Sequence, residues 1–125
     1  MKTRGFIGLG VMGFPMAGYI SMKYPTLVFN RSVAKAEHWI KTYKGEIGNS
    51  PAELGNVCEE IYMCIGNDDD VREVISGENG ILSSISPGGI IVDHTTTSSI
   101  LSSEMNEMCL KKGCLLYTSP SPRDS

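Results

Sequence analysis

The chain has 125 residues, 41% of them hydrophobic, enough for one domain with a core of its own. Its net charge of −3 offers no basic footprint for nucleic acid, and no apolar run approaches the ~18 residues that a membrane helix needs. Lys2 and Arg4 precede an apolar stretch broken by Gly5, Gly8, Gly10 and Gly13, with no small-residue cleavage site, so no signal peptide is read.

Residues 3–8 predict a short buried strand running into glycine, and residues 11–22 a helix. Residues 26–29 form a second apolar strand. Ser32 stands at an N-cap position, and Val33 to Tyr43 continue as a helix that Gly45 ends. Residues 46–48 fit a short third strand. Ser50, Pro51 and Glu53 then make a capping-box start for a short helix. Glu60 to Ile65 is a fourth strand, and Asp68 to Ile75 a helix with acids in its first turn, where the helix dipole favours them. A turn at 76–80, a brief helix over Ile81 to Ile85 and a turn at 87–89 lead to a fifth strand, Ile90 to Val92, ended by Asp93. Ser98 or Ser99 opens a last helix to about Lys112. Apolar strands alternating with helices predict an α/β fold, a Rossmann-like doubly wound parallel sheet covered by helices on both faces.

The four cysteines, Cys58, Cys64, Cys109 and Cys114, form no C-x-x-C pair, and His38 and His94 add no metal spacing. They are expected to be reduced thiols in a cytoplasmic protein, with no metal site.

Gly8-Leu9-Gly10-Val11-Met12-Gly13 is a G-x-G-x-x-G placed between a strand and a helix, the context that gives the motif meaning. Gly8 permits the tight turn, Gly10 lets a pyrophosphate approach the backbone, and Gly13 lets helix and strand pack closely. The free N–H groups and partial positive charge of the helix start face the phosphates. At the end of the second strand, an NAD site would place a carboxylate for the ribose 2′-hydroxyl. Here stand Asn30-Arg31-Ser32. Arg31 can pair with a 2′-phosphate, and Asn30 and Ser32 can donate to it, so the expected cofactor is NADP rather than NAD.

Gly8 to Ala17 resembles the G-L-G-x-M-G-x-x-M-A signature of the β-hydroxyacid dehydrogenases, which include 3-hydroxyisobutyrate dehydrogenases and glyoxylate/succinic semialdehyde reductases. Asn30-Arg31-Ser32 is similar to that family's N-R-[ST], the turn 77–80 to its G-x-x-G, and Asp93 to Ser98 to its D-x-[ST]-[ST] segment. The resemblance runs from residue 3 to about 113. It implies that Cys64, Ile65 and Asp69 lie along the nicotinamide side of the cofactor. It further implies that Thr96 meets nicotinamide and substrate, and that Thr95 helps hold a substrate carboxylate. The implied reaction is hydride transfer between nicotinamide and a β-hydroxyacid or short aldehyde-acid. A catalytic lysine, a substrate loop and a helical C-terminal domain of a homo-oligomeric parent are implied beyond residue 113. Lys35, Lys41, Lys44, Lys111 and Lys112 match no such lysine and fit solvated helix faces. Two other readings stay open: a related NADPH-dependent imine reductase, and a non-catalytic dinucleotide-binding module.

Residues 114–125 resemble something else: the in-frame translation of a transposase-based sequencing-library adapter, matched at every position from Cys114 to Asp124. The natural sequence is therefore expected to end near Gly113, giving a cofactor domain over 1–113 and a non-native tail over 114–125. The alternative is a natural Ser/Pro-rich tail. The sheet is expected to be truncated before its sixth strand, although Leu115-Leu116-Tyr117 is apolar enough to imitate one. The chain by itself is expected to lack dehydrogenase activity.

Overall fold

The computed structural model describes residues 2–94 and 98–118. Its elements, in chain order, are β1 Arg4–Ile7, α1 Gly13–Ser21, β2 Thr26–Phe29, α2 Val33–Thr42, β3 Glu46–Ile47, α3 Pro51–Val57, β4 Glu60–Met63, α4 Asp68–Ser76, a 3₁₀ turn Ile81–Ser83, β5 Ile90–Asp93, α5 Ser99–Lys111 and β6 Leu115–Thr118. The six strands form one all-parallel sheet in the order β3-β2-β1-β4-β5-β6. The order reverses direction between β2-β1 and β1-β4. That switch point puts the carboxyl end of β1 beside those of β2 and β4, the crevice where open α/β sheets bind ligands.

Adjacent strand residues feed opposite layers. Phe6 and Val28 are buried with Ala17 of α1 and with Ala36 and Trp39 of α2. Ile7, Leu27, Ile61, Met63 and Ile91 are buried on the other face with Leu54, Val71, Ile75, Leu101, Met105 and Cys109 of α3, α4 and α5. Trp39 is fully buried and its Nε1–H donates to the Phe14 carbonyl (3.2 Å), which ties α2 to the first turn of α1.

The helix starts follow their caps. Ser50 Oγ accepts from the Glu53 N–H, while Glu53 Oε1 accepts from the Asn49 N–H, one residue earlier than a standard capping box. Asn67 Oδ1 accepts from the Asp70 N–H, and Ser98 Oγ from the Leu101 N–H. Ser32 occupies the N-cap position of α2 but makes no side-chain cap bond. Its backbone is extended there and its carbonyl accepts from the Lys35 N–H (3.2 Å), which leaves, among the described residues, the N–H groups of Val33 and Ala34 for another acceptor.

The sheet does not stop before a sixth strand. Residues 115–118 lie parallel to β5, with Ile90 opposite Leu115 and Asp93 opposite Thr118. The cause is local. Gly113 takes a positive φ of 79°, which turns the chain out of α5 and back along β5. Cys114 is then buried and Leu116 packs on the α5 layer, while Leu115 and Tyr117 remain exposed. An apolar segment beside an open parallel edge is enough to satisfy both.

Candidate cofactor site

The turn between β1 and α1 is shaped by what its glycines touch. Gly8 has φ 99°, and a Cβ there would overlap the carbonyl oxygen of Cys64 at the end of β4. A Cβ on Gly13 would overlap the carbonyl oxygen of Gly8. Both are therefore needed for close packing inside the protein. Gly10 is different: a Cβ there would meet nothing within 4 Å. Its lack of a side chain leaves open space beside the backbone of the turn. Among the described residues, the N–H groups of Gly10, Val11, Met12 and Gly13 donate to no protein acceptor. Val11 and Met12 carry exposed side chains, 95% and 67% accessible, whereas the Leu9 side chain is buried in the α1–α2 layer.

The turn is held from β2. The Leu9 N–H donates to Asn30 Oδ1 (2.8 Å), and Asn30 Nδ2 donates to the Ser32 carbonyl (3.1 Å). The Asn30 amide thus joins the glycine turn to the start of α2. These two contacts hold the turn in place and engage Asn30 Oδ1 and Nδ2 inside the protein. The contact to Leu9 spans residues 21 apart, which periodicity does not reveal.

A cleft of about 240 Å³ lies at this switch point, lined by Gly8, Gly10, Asn30, Arg31, Cys64 and Ile65, with Lys35 and Asp70 among the rest. The Arg31 side chain is 75% exposed, and its guanidinium reaches Asp70 of α4, Nη2 to Oδ1, at 2.6 Å. Asp69 stands outside this cleft; its carboxylate is 96% exposed and faces Arg72. The helical phase of α4, set by the Asn67 cap, turns Asp70 inward instead. Lys35 is exposed, as expected of a solvated helix face, and from the first turn of α2 it also lines the cleft and adds a second cation. A basic residue one turn into the helix after β2 was the available signal. A larger cavity, about 660 Å³, opens at the opposite end of the strands, around Lys23, Tyr24 and Lys44, by the amino ends of β1, β2 and β3.

Cys64 and Ile65 form the β4 side of the cleft. The Cys64 N–H continues the ladder to the Ile7 carbonyl (2.9 Å). Its thiol is half-buried, and desolvation together with the nearby Asp93 charge pushes its pKa up. Thr95 and Thr96 lie outside the described residues. Their flanks are placed. The His94 N–H donates to the Met63 carbonyl (2.8 Å), its ring stacks on Tyr62 at 6.3 Å, and the Ser98 N–H donates to Asp68 Oδ1 (3.2 Å). No group of three or more metal-ligating side chains occurs among the described residues, all four cysteines are free thiols, and no described helix is long and apolar enough to cross a membrane.

Known proteins share this fold. An oxidoreductase of Shewanella frigidimarina, named only as uncharacterized, is 44% identical over 106 residues, covering 84% of this chain and 36% of that protein. An Arabidopsis thaliana protein named "Probable 3-hydroxyisobutyrate dehydrogenase-like 2, mitochondrial" is 35% identical over 121 residues, covering 95% and 40%. The chain thus spans about two fifths of these curated relatives. Among solved structures, Mycobacterium tuberculosis 3-hydroxyisobutyrate dehydrogenase with L-serine superposes with a TM-score of 0.84 at 21% identity, over 96% of this chain and 40% of that one. Imine reductase from Myxococcus stipitatus in complex with NADP+ superposes at 0.80 and 20% identity, over 93% and 39%. At such identities the superpositions show a common fold. Residues 3–120 match the family described as the NAD binding domain of 6-phosphogluconate dehydrogenase, and to that family, with its 3-hydroxyisobutyrate dehydrogenase-like members, this chain belongs.

Proposed function

We propose that the chain is the cofactor-binding part of an NADP-dependent oxidoreductase acting on a β-hydroxyacid or short aldehyde-acid. The observation that carries the cofactor choice is the end of β2. It presents Arg31 and, one turn on, Lys35 to the cleft, and no carboxylate follows directly on the strand. A 2′-phosphate is a dianion that such a pair of cations neutralises, and Arg can grip it through two N–H groups at once. The unused hydroxyl of Ser32 lies between them in sequence. The glycine turn takes the pyrophosphate on the N–H groups of residues 10–13. Cys64 and Ile65 face the nicotinamide half, and Thr95 and Thr96 meet nicotinamide and substrate.

Bound NADP supplies the hydride chemistry, and the protein supplies orientation. The proton donor, a lysine in the family this chain resembles, belongs to the part of the relatives that the chain does not span. The cofactor domain alone is accordingly inactive as a dehydrogenase, in a parent that works as a cytoplasmic homo-oligomer. The solved imine reductase, which shares the fold and was captured with NADP+, keeps imine reduction as a second reading of the parent. Recovery of the complete reading frame separates the two, because the hydroxyacid reading requires the lysine.

The test of the cofactor assignment is Arg31→Glu. Replacing a charge-assisted partner by a like charge is expected to lower the NADPH-to-NADH affinity ratio by about 10-fold to 100-fold, measured by cofactor fluorescence titration. An unchanged ratio would show that Arg31 does not read the 2′ position.

A further inference from the structure

Arg31 already has a partner. Its guanidinium meets Asp70 Oδ1 at 2.6 Å, bridging from the end of β2 to the first turn of α4 across the mouth of the cleft. The carboxylate is not there by chance of a floppy side chain. Asp70 Oδ2 accepts from Asn67 Nδ2 (3.1 Å), and the Asp70 N–H donates to Asn67 Oδ1 (2.9 Å). These two bonds leave Oδ1 presented to Arg31. Of the three consecutive acids on α4, only Asp70 lines the cleft: Asp68 accepts from the Ser98 N–H, and Asp69 faces Arg72.

We propose that Asp70 is a specificity-determining counter-ion that competes with the cofactor's 2′-phosphate for Arg31, and so weakens the preference for the phosphorylated dinucleotide. This rests on the reading of Arg31 as the 2′-phosphate ligand. The Arg31 side chain is 75% exposed and that of Asp70 30%, so solvent reaches the pair from the arginine side; ion pairs open to water are weak, and a dianionic phosphate can displace the carboxylate. The exchange still has a cost. The phosphate arrives beside a carboxylate that Asn67 holds in place, and like charges in contact repel. A dinucleotide bearing a 2′-hydroxyl leaves the Arg31–Asp70 bridge closed and escapes that cost. Asp70 therefore acts on one cofactor and not on the other.

The test uses adenosine 2′,5′-bisphosphate and ADP as probes on the 125-residue chain. NMR chemical-shift titration reads even millimolar affinities. Asp70→Asn keeps the side-chain shape and an acceptor for Asn67, and removes the charge. It is expected to tighten the bisphosphate about 3-fold to 10-fold, while ADP affinity stays within about 2-fold and reports an intact fold. Asp70→Ala should do the same, which guards against a particular effect of the amide. If both substitutions leave the bisphosphate-to-ADP ratio unchanged while Arg31→Ala lowers it, the counter-ion role is overturned and the phosphate reading stands. If Arg31→Ala also leaves the ratio unchanged, or wild type binds neither probe, both are overturned.

Discussion

Three glycines of one motif do different things, and a methyl group tells them apart. At Gly8 an added Cβ meets the backbone of Cys64 in a left-handed conformation. Gly8→Ala is therefore expected to destabilise the fold by roughly 2–4 kcal/mol, from conformational strain plus overpacking. At Gly10 the same methyl meets nothing. Gly10→Ala should leave the thermal midpoint near wild type and weaken NADPH binding about 10-fold or more, because the methyl occupies the space of the pyrophosphate. Thermal unfolding and cofactor titration on the two variants check this, and similar binding by wild type and Gly10→Ala would place the phosphates elsewhere. The motif's place between strand and helix was plain from the order of residues. The partners of Asn30, Arg31 and Lys35 were not. Asn30 and Arg31 are fixed by neighbours far off in sequence, Leu9 and Asp70, and Lys35 reaches the cleft only because the strand order brings the start of α2 to it.

At the scale of elements, strand and helix order was legible because buried parallel strands are continuously apolar and helix starts carry caps. The rotation of a helix about its own axis was less so. α4 begins with three acids, and the Asn67 cap together with the burial of Val71, Val74 and Ile75 decides which one faces the cleft. Packing of α3 and α5 on the sheet has a titratable consequence. Cys58 closes α3 and Cys109 lies on the buried side of α5. Burial, helped by the Glu53 charge, pushes the Cys58 thiol from its ordinary 9.0 up to about 12. Burial first, and then Cys114, does the same to Cys109, up to about 12. In the unfolded chain both thiols ionise near 9, so the native state holds its protons longer. The stabilisation is complete below pH 9 and is lost as pH rises towards 12. At pH 11 each thiol is expected to cost roughly 2–3 kcal/mol. Urea midpoints at pH 8 and pH 11 test this against a Cys58→Ala, Cys109→Ala double variant. The variant should lose less on the alkaline side, and equal losses would sink the idea. The subtraction cancels the lysines and tyrosines that titrate in the same range.

For the molecule as a whole, the tension is at its last strand. Residues 115–118 form a sixth strand, and the family match extends to residue 120, yet the same residues resemble a translated sequencing adapter. Both hold at once because the position makes few demands. It needs a turn after α5, which Gly113 supplies, and apolar side chains at 114 and 116 facing the α5 layer. Cys114 and Leu116 satisfy them by composition alone. The other face shows the difference. Leu115 and Tyr117 are 43% and 54% exposed on an edge, whereas a strand of a parallel sheet is normally covered on both sides. We propose that the natural sequence departs from this chain after Gly113. It is then expected to continue with apolar residues on both strand faces, followed by the chain that covers them and carries the lysine. Sequencing the source locus decides it. Codons for such a strand immediately after Gly113 support the proposal, and a genomic copy of residues 114–125 overturns it. The physical corollary is that a protein with the natural strand should be more stable than the present chain. Burying two more large side chains contributes about 1.5–3 kcal/mol each, readable as a higher urea midpoint.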